Sequence, residues 1–327
     1  MNSFGRIFRV SIFGESHGNC VGVMIDGCPP GIPIKLLDFM KDIQRRKPGA
    51  VGTTKRKEKD FPVFESGIFN NHTTGTPIVI RFENTDIESK EYQKYVDLPR
   101  PGHADYTSRI KYNGFNDYRG SGHHSGRITI GLVAAGVIAK KIIAPMKVNS
   151  KVIEVGGSKK IKEKVYEIAT KQDSVGGLIE CIVENVPAGL GEPFFDSIES
   201  LLSHIVFSIP AIKGIEFGAG FRASMMKGSE FNDVIIDEEG KTATNNSGGI
   251  NGGISNGNPI VFRVAVKPPS SISLEQKTFN FKKKKIDSLL IKGRHDACIA
   301  LRMPVIVEAA TAIVLADLKL INKINSI

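Results

Sequence analysis

The sequence predicts an α/β fold, α+β-like, and three observations point to it. Alternating β-rich runs and amphipathic runs of helical length follow one another along the chain, so sheets and helices share layers. Its 327 residues carry no short-period repeat and no clear linker, so one domain spanning residues 1–327 is expected. Glycine supplies 34 of those residues, about 10% against a usual ~7%, a surplus suited to tight turns and close approach to a ligand.

The elements read as follows. Ile7–Phe13 alternates and is β-rich, a first strand, and Val21–Ile25 is a second. Asp26–Pro33 is a turn segment, and Leu36–Arg46 is a short helix closed by Pro48-Gly49. Gly49–Asp60 is a polar, basic loop expected to be mobile without ligand, as is Asp105–Tyr118. Val63–Phe69 and Pro77–Phe82 are strands, and Asn84–Arg100 is helical only in part. Pro101–Gly126 is dense in Gly, His, Tyr and Arg with little periodicity, which predicts a long functional loop. Ile128–Ile143 is a helix with a small-residue face of Gly131, Ala134, Ala135, Gly136 and Ala139. Lys151–Gly156, Leu178–Asn185, Gly214–Phe217 and Ile260–Val266 are strands. Phe195–Ile209 is a helix stopped by Pro210, and Val305–Leu320 is a long helix. A soft composition change near residues 147–175 reads as an insertion rather than a boundary.

Composition excludes several classes. Trp is absent and aromatics are 7%, which argues against an aromatic-belted membrane protein or a base-stacking surface. Cys20, Cys28, Cys181 and Cys298 show no C-x-x-C spacing and read as thiols in a reducing cytoplasm. The N-terminus lacks the apolar core of a signal peptide. The most apolar stretches, Ile128–Met146 and Pro304–Leu320, carry charges and read as core helices, so no membrane partner is expected. The net charge of +10 admits a polyanionic partner. Lysine runs such as Lys282–Lys285 and Ser158–Lys164 read as solvated edges. Arg45, Arg46, Arg100, Arg119, Arg127, Arg294 and Arg302 instead lie in or near segments rich in Gly, Pro and His. Arginine in such loops suits a compact anion pocket more than a nucleic-acid track.

Five of seven histidines lie in glycine-flanked motifs: Gly14-Glu15-Ser16-His17-Gly18, Arg100-Pro101-Gly102-His103-Ala104-Asp105, Ser121–Arg127 with His123 and His124, and Gly293-Arg294-His295-Asp296. Histidine pairs with Arg, Asp or Glu in each, which suits proton transfer near neutral pH. No H-x-x-x-H or cysteine partner supports a metal site. Ser121–Arg127 places a glycine-rich turn before a helix, and Lys267–Ser271 is a turn with an ammonium and two hydroxyls; both suit phosphate. Walker A, Rossmann and nucleophile-elbow signatures are absent. Gly248-Gly249 and Gly252-Gly253 fit a ligand cradle and a flexible loop equally well. The residues alone therefore describe an α/β enzyme for a small, multiply anionic substrate, with histidines as acids or bases. A basic nucleic-acid-binding protein and a flavin oxidoreductase with net redox turnover are the competing readings.

At these motifs the chain resembles the chorismate synthase family over essentially its whole length. The resemblance is strongest at Gly14–Pro29, Arg100–Tyr106, Tyr118–Gly136 and Gly293–Glu308, with support from Gln44–Gly49, Pro187–Pro193 and Lys267–Ser271. It implies a β-α-β sandwich, a homotetramer, and anti-1,4-elimination of phosphate from 5-enolpyruvylshikimate 3-phosphate to give chorismate, with reduced FMN and no net redox change. It implies that His17 protonates the leaving phosphate and that His103 protonates or stabilises the reduced flavin. Asp296, with Ser16 as relay, would assist removal of the substrate proton. Arg45, Arg46, Arg127 and Arg302 would hold the substrate. FMN contacts would fall at His123, His124, Ser125, Pro210, Ala211, Gly252, Lys267, Pro268, Pro269, Ser270, Ser271 and Arg294. The chain departs from many members in three ways. His123-His124 replaces Arg-Ser, Gly52 stands where relatives carry an arginine linked to NADP, and Ala297 replaces a proline. With no reductase domain, a monofunctional cytoplasmic enzyme fed by an external flavin reductase is expected.

Overall fold

Two antiparallel sheets face each other across a layer of helices. The computed structural model describes residues 2–49, 59–86, 89, 92–291, 293 and 295–325. The first sheet holds β1 (Ser3–Phe4), β2 (Arg9–Gly14), β3 (Cys20–Asp26), β4 (Val63–Ser66) and β7 (Ile78–Glu83), in the order β1-β2-β3-β7-β4. A small ribbon, β5 (Ile68–Phe69) and β6 (His72–Thr73), lies between β4 and β7 in sequence. The second sheet holds β8 (Lys147–Val155), β9 (Gly177–Glu184), β10 (Ile212–Phe217) and β13 (Ile260–Val266), in the order β10-β13-β9-β8. Two further ribbons are β11 (Ile250–Asn251) with β12 (Ile254–Ser255), and β14 (Gln276–Asn280) with β15 (Lys285–Leu289). The helices are α1 (Leu36–Arg46), α2 (Asp105–Lys111), α3 (Thr129–Ile143), α4 (Ile161–Thr170), α5 (Ile198–Ser208), α6 (Gly228–Phe231) and α7 (Pro304–Asn325).

The expected sandwich is observed, and every strand pairing is antiparallel, which puts it on the α+β side of the expected class. Alternation explains the sheets: in β13 every second residue is buried. The helical layer needs apolar residues on both sides, and α3 is buried without a break from Thr129 to Ala139. It packs on β3 and on α7, and α7 packs in turn on β8 and β9. The small face of α3 permits this. A Cβ at Gly131 would stand 2.8 Å from Ile12 of β2 and 2.9 Å from the Gly22 carbonyl of β3, and one at Gly136 would meet Ala309 of α7 at 2.3 Å. The backbones approach where a side chain would hold them apart. Fully buried side chains such as Ile130, Ile138, Ile313 and Phe262 fill the remaining space; each contributes about 1.5–3 kcal/mol.

Some expectations need correction. The stretch Pro101–Gly126 is not wholly irregular, since it contains α2, of which only Ser108 is buried. A helix without a core face leaves no periodic signal. The β14–β15 hairpin was not expected either, and Lys282–Lys285 forms its turn and the start of its second strand. Residues 147–175 are no insertion, because β8 is a full member of the second sheet and α4 follows it. The run Val63–Phe69 breaks at Gly67, and Ile68–Phe69 pairs with His72–Thr73. Of the basic loop Gly49–Asp60, residues 50–58 lie outside the described residues, as does Gly52 with them. No helix among the described residues is long and apolar enough to cross a membrane.

Candidate active site

One cavity of about 1850 Å³ gathers most of the motifs. Ser16, His17, Arg46, His103, His123, His124, Ser125, Arg127, Pro210, Ala211, Lys267–Ser271, Asp296 and Arg302 all line it. Gly252 and Arg45 do not, and Arg294 lies outside the described residues. Gly252 sits in the β11–β12 hairpin at φ 61°, with open space where a Cβ would point.

His17 follows β2 and is 7% exposed. Its Nδ1 is 2.9 Å from Ser89 Oγ, and its ring meets Tyr92 edge-on at 5.1 Å. Behind the ring runs a left-handed turn, with Gly120, Ser121 and Gly122 at φ 56°, 66° and 52°. A Cβ on Gly120 would lie 2.5 Å from His17 Nε2, so only glycine lets this backbone close on the imidazole. Ser16 donates its N–H to Gly122 O at 3.1 Å. Its hydroxyl is buried without a hydrogen-bond partner among the described residues, a polar group left facing the cavity.

His103 stands where two loops meet. Its Nδ1 is 3.0 Å from Pro101 O, and a carbonyl only accepts, so Nδ1 carries the proton. Nε2 then accepts from Ser271 Oγ at 2.8 Å. Burial, with the nearby Arg100 guanidinium, pushes this histidine down to about 4, so it is neutral at physiological pH. Gly102, at φ 70°, lets the Pro101–His103 turn close on the other loop, where Lys267 Nζ donates to Gly102 O at 3.1 Å and Ser270 Oγ donates to the same oxygen at 2.9 Å. His123 Nδ1 donates to Gly14 O at 2.8 Å. Burial, then the charge of His123, holds His124 below the usual imidazole range. Ser125 Oγ accepts from Arg127 N, capping the turn that leads into α3.

The arginines divide by environment. Arg100 is spent on a bidentate pair with Asp105, at 2.8 and 2.7 Å, and lies over the Tyr95 ring. Arg127 gives its guanidinium to Asp60, to Asn84 Oδ1 at 3.0 Å and to Glu83 O at 3.1 Å. Arg46 donates to Thr129 Oγ1, Gly126 O and Arg127 O, and lies 3.8 Å from Asp60. Arg302 pairs with Asp296 at 3.1 Å and donates Nε–H to Arg46 O at 3.1 Å. Arg45 is the correction: its two terminal nitrogens grip Glu308 at 2.7 and 2.6 Å, outside the cavity. Ala297 is buried, and its carbonyl accepts from Val175 N at 2.8 Å.

Three contributors escaped sequence reasoning: Ser89 beside His17, Asp60 beneath Arg127, and Lys213 on the cavity wall. Each acts through a contact distant in sequence or, for Lys213, through a strand irregularity; none stands in a distinctive motif. Among the described lining residues, Arg46, Lys47, Arg100, Arg127, Lys213, Lys267 and Arg302 oppose only Asp60, Asp86 and Asp296. A positive cleft with low-dielectric walls concentrates anions. The described residues bring no three His, Cys, Asp or Glu side chains together as metal ligands.

Comparison with known proteins points to one family. The sequence model of the family described as chorismate synthase matches residues 8–320. A chorismate synthase from Chitinophaga pinensis is 59% identical, with 99% of this chain and 98% of that protein covered. One from Pyrococcus abyssi is 43% identical, with 98% of each covered. Among solved structures, a crystal structure of chorismate synthase superposes with a TM-score of 0.76 at 27% identity, covering 98% of this chain and 93% of that one. The same fold, matched along nearly the full length of both chains, places this protein in the chorismate synthase family, enzymes of shikimate-pathway biosynthesis.

Proposed function

We propose that the chain converts 5-enolpyruvylshikimate 3-phosphate to chorismate and phosphate, as a carbon–oxygen lyase that requires reduced FMN. The observation that carries this reading is the convergence of His17, His103, Asp296 and the Lys267–Ser271 loop, from four distant segments, on one cation-rich cavity. The substrate bears two carboxylates and a phosphate, and FMN bears a phosphate of its own. A ligand pocket ordinarily measures about 300–1000 Å³; about 1850 Å³ accommodates a cofactor and a substrate together.

The residues present fit the flavin. Lys267–Ser271, Pro210, Ala211 and His123–Ser125 would hold it, and the unsatisfied Ser16 hydroxyl leaves a polar group for a ligand. When bound, reduced FMN supplies an electron-rich ring and an acceptor for the proton the substrate loses, with no net redox change. His17 donates a proton to the departing phosphate oxygen, held by Ser89 and Tyr92 against the Gly120 turn. Arg302, close to neutralised by Asp296, and Arg46 position the carboxylates. Arg127 shapes that wall through Asp60 rather than offering an unpaired guanidinium. His103 enters neutral, and an anion placed beside it opposes the Arg100 field and raises its proton affinity. The chain acts as one catalytic domain, 1–327, in a cytoplasmic homotetramer supplied by an external flavin reductase.

Anaerobic mixing of the protein with substrate and chemically reduced FMN tests the reading. Phosphate release and chorismate absorbance should rise together over many turnovers. Oxidised FMN should support none, and NADPH with oxidised FMN should not be consumed. Stoichiometric loss of reduced flavin would instead mark a redox enzyme.

Ser89 makes a narrower test. Ser89→Ala is expected to lower kcat about 10-fold, the scale of one lost hydrogen bond, with KM and melting temperature unchanged. Ser89→Thr, which keeps the hydroxyl, should recover most of the rate. Full activity in the alanine variant would show that Tyr92 and Gly120 suffice to hold the ring.

A further inference from the structure

The cavity collects anions, yet it buries a carboxylate of its own. Asp60 and Arg127 pair on its wall, with side chains 2% and 3% exposed, so water does little to screen either charge. Asp60 stands at φ 54°, a left-handed conformation uncommon outside glycine, asparagine and aspartate. Lys47 Nζ holds the carbonyl just before it, Lys59 O, at 2.7 Å. The surrounding structure thus aims this carboxylate at the guanidinium at some cost in backbone strain. The same carboxylate lies 3.8 Å from Arg46, too far for a hydrogen bond.

The Arg127 guanidinium has three of its five N–H groups engaged: one by Asp60, one by Asn84 Oδ1 at 3.0 Å and one by Glu83 O at 3.1 Å. Asn84 in turn donates its amide to Glu15 O at 3.0 Å and to Gly18 O at 2.8 Å, on the turn that carries His17. The guanidinium is therefore two hydrogen bonds away from the turn that bears the proposed acid. Phosphate leaves from that place. An uncompensated guanidinium there would hold the departed phosphate by paired, charge-assisted hydrogen bonds. Asp60 weakens that grip and keeps the guanidinium where it is.

We propose that Asp60 is a specificity-determining residue, acting through Arg127, that lets inorganic phosphate leave the wall beside His17. Its carboxylate cancels the charge of Arg127 and fixes the guanidinium plane. The wall then shapes the site for a ligand held by the rest of the cavity and retains no small dianion by itself. An ion pair with a purely structural role would affect stability alone. The inference deepens the reading under Proposed function and rests on it.

The test compares the intact wild-type chain with Asp60→Asn and with the double variant Asp60→Asn/Arg127→Gln, and its probe is inorganic phosphate at constant ionic strength. Asparagine keeps the shape, accepts from Arg127 and tolerates the backbone, so the single variant changes charge and little else. Asp60→Asn is expected to bind phosphate about 10- to 100-fold more tightly by calorimetry, the scale of a charge-assisted hydrogen bond. Its melting temperature should climb with added phosphate more steeply than that of wild type. Phosphate should also inhibit its turnover at correspondingly lower concentration. The double variant removes both charges and should return to wild-type phosphate affinity. It strands no charge, so it carries the test even where the single variant is too unstable to purify. Unchanged phosphate affinity in Asp60→Asn overturns the proposal. So does a loss of about tenfold or more in the double variant, which would show that Arg127 grips phosphate despite Asp60. Wild-type protein without turnover overturns the proposed function instead, and the calorimetric comparison does not depend on turnover.

Discussion

Alanine in place of His17 should lower turnover by about 10²- to 10⁴-fold, the range that a positioned general acid supplies. The expectation comes from the surroundings of the ring. It is 7% exposed, fixed at Nδ1 by Ser89 at 2.9 Å and abutted by Tyr92. An imidazole so confined has one orientation to offer a substrate, and that pre-organisation is what proton transfer to a leaving oxygen requires. Phosphate release and chorismate formation should fall equally, while flavin affinity changes little. Gly120→Ala checks the same idea while keeping the imidazole itself. Its new Cβ would lie 2.4 Å from His17 Cδ2, on a backbone at φ 56°, so the ring must move. Both variants should lose rate far more than stability. A loss below threefold in His17→Ala would remove His17 from the acid role.

Elements with a core face were legible in the sequence. The helix at Leu36–Arg46 and the strand at Ile260–Val266 were expected at the residues where they occur, because one side of each is buried and its apolar period survives. The helix α2 and the hairpin β14–β15 were not, since both lie largely at the surface and carry no such period. The candidate site divides on similar lines. Ser16, His17, His103 and Asp296 stand in glycine-flanked motifs and do share the cavity. Arg45 and Arg46 were expected to act alike, yet adjacent helical residues point about 100° apart. One reaches Glu308 and the other the cavity wall, a choice set by how α1 packs on α3 and α7. Asp60 was read as part of a mobile basic loop, whereas the structure buries it against Arg127, 67 positions away. Pairings of that kind depend on the tertiary fold, and local residue patterns do not reveal them.

Glu308→Ala is expected to cost about 3–5 kcal/mol of stability, because it strands part-buried cations rather than deleting a balanced pair. Glu308 is 3% exposed on α7. It accepts from Arg45 of α1 twice, from Lys140 of α3 at 3.0 Å and from Ser150 N of β8 at 3.1 Å, so one carboxylate ties three helices to the second sheet. Asp42 also accepts from Arg45 and Lys140, at 3.2 and 2.7 Å, and would keep part of the compensation. Arg45 is partly exposed, which places the cost toward the lower end. In a chain of this size that corresponds to a melting temperature lower by about 5–15 °C. Burial would push the Glu308 carboxyl up, but the bonds from Arg45 and Lys140 outweigh it and hold it below the ordinary range. Its folded value is depressed, so its contribution is present above the unfolded value near 4.5 and disappears as pH falls through the folded one. The gap between wild type and Glu308→Ala should therefore be full at pH 7 and narrow toward acid. His103 works on a different window: pushed down to about 4, it favours the neutral form when folded, so stability in both proteins falls as pH drops below about 6.5. Replacing Asp42, Arg45, Lys140 and Glu308 together by apolar residues removes the charges instead of orphaning them, and should recover much of the loss. The single variant should also raise KM for the substrate, since Arg46 follows Arg45 on α1 and its carbonyl is held by Arg302 at 3.1 Å. A stability loss with KM unchanged would show that the α1 terminus keeps its place without Glu308.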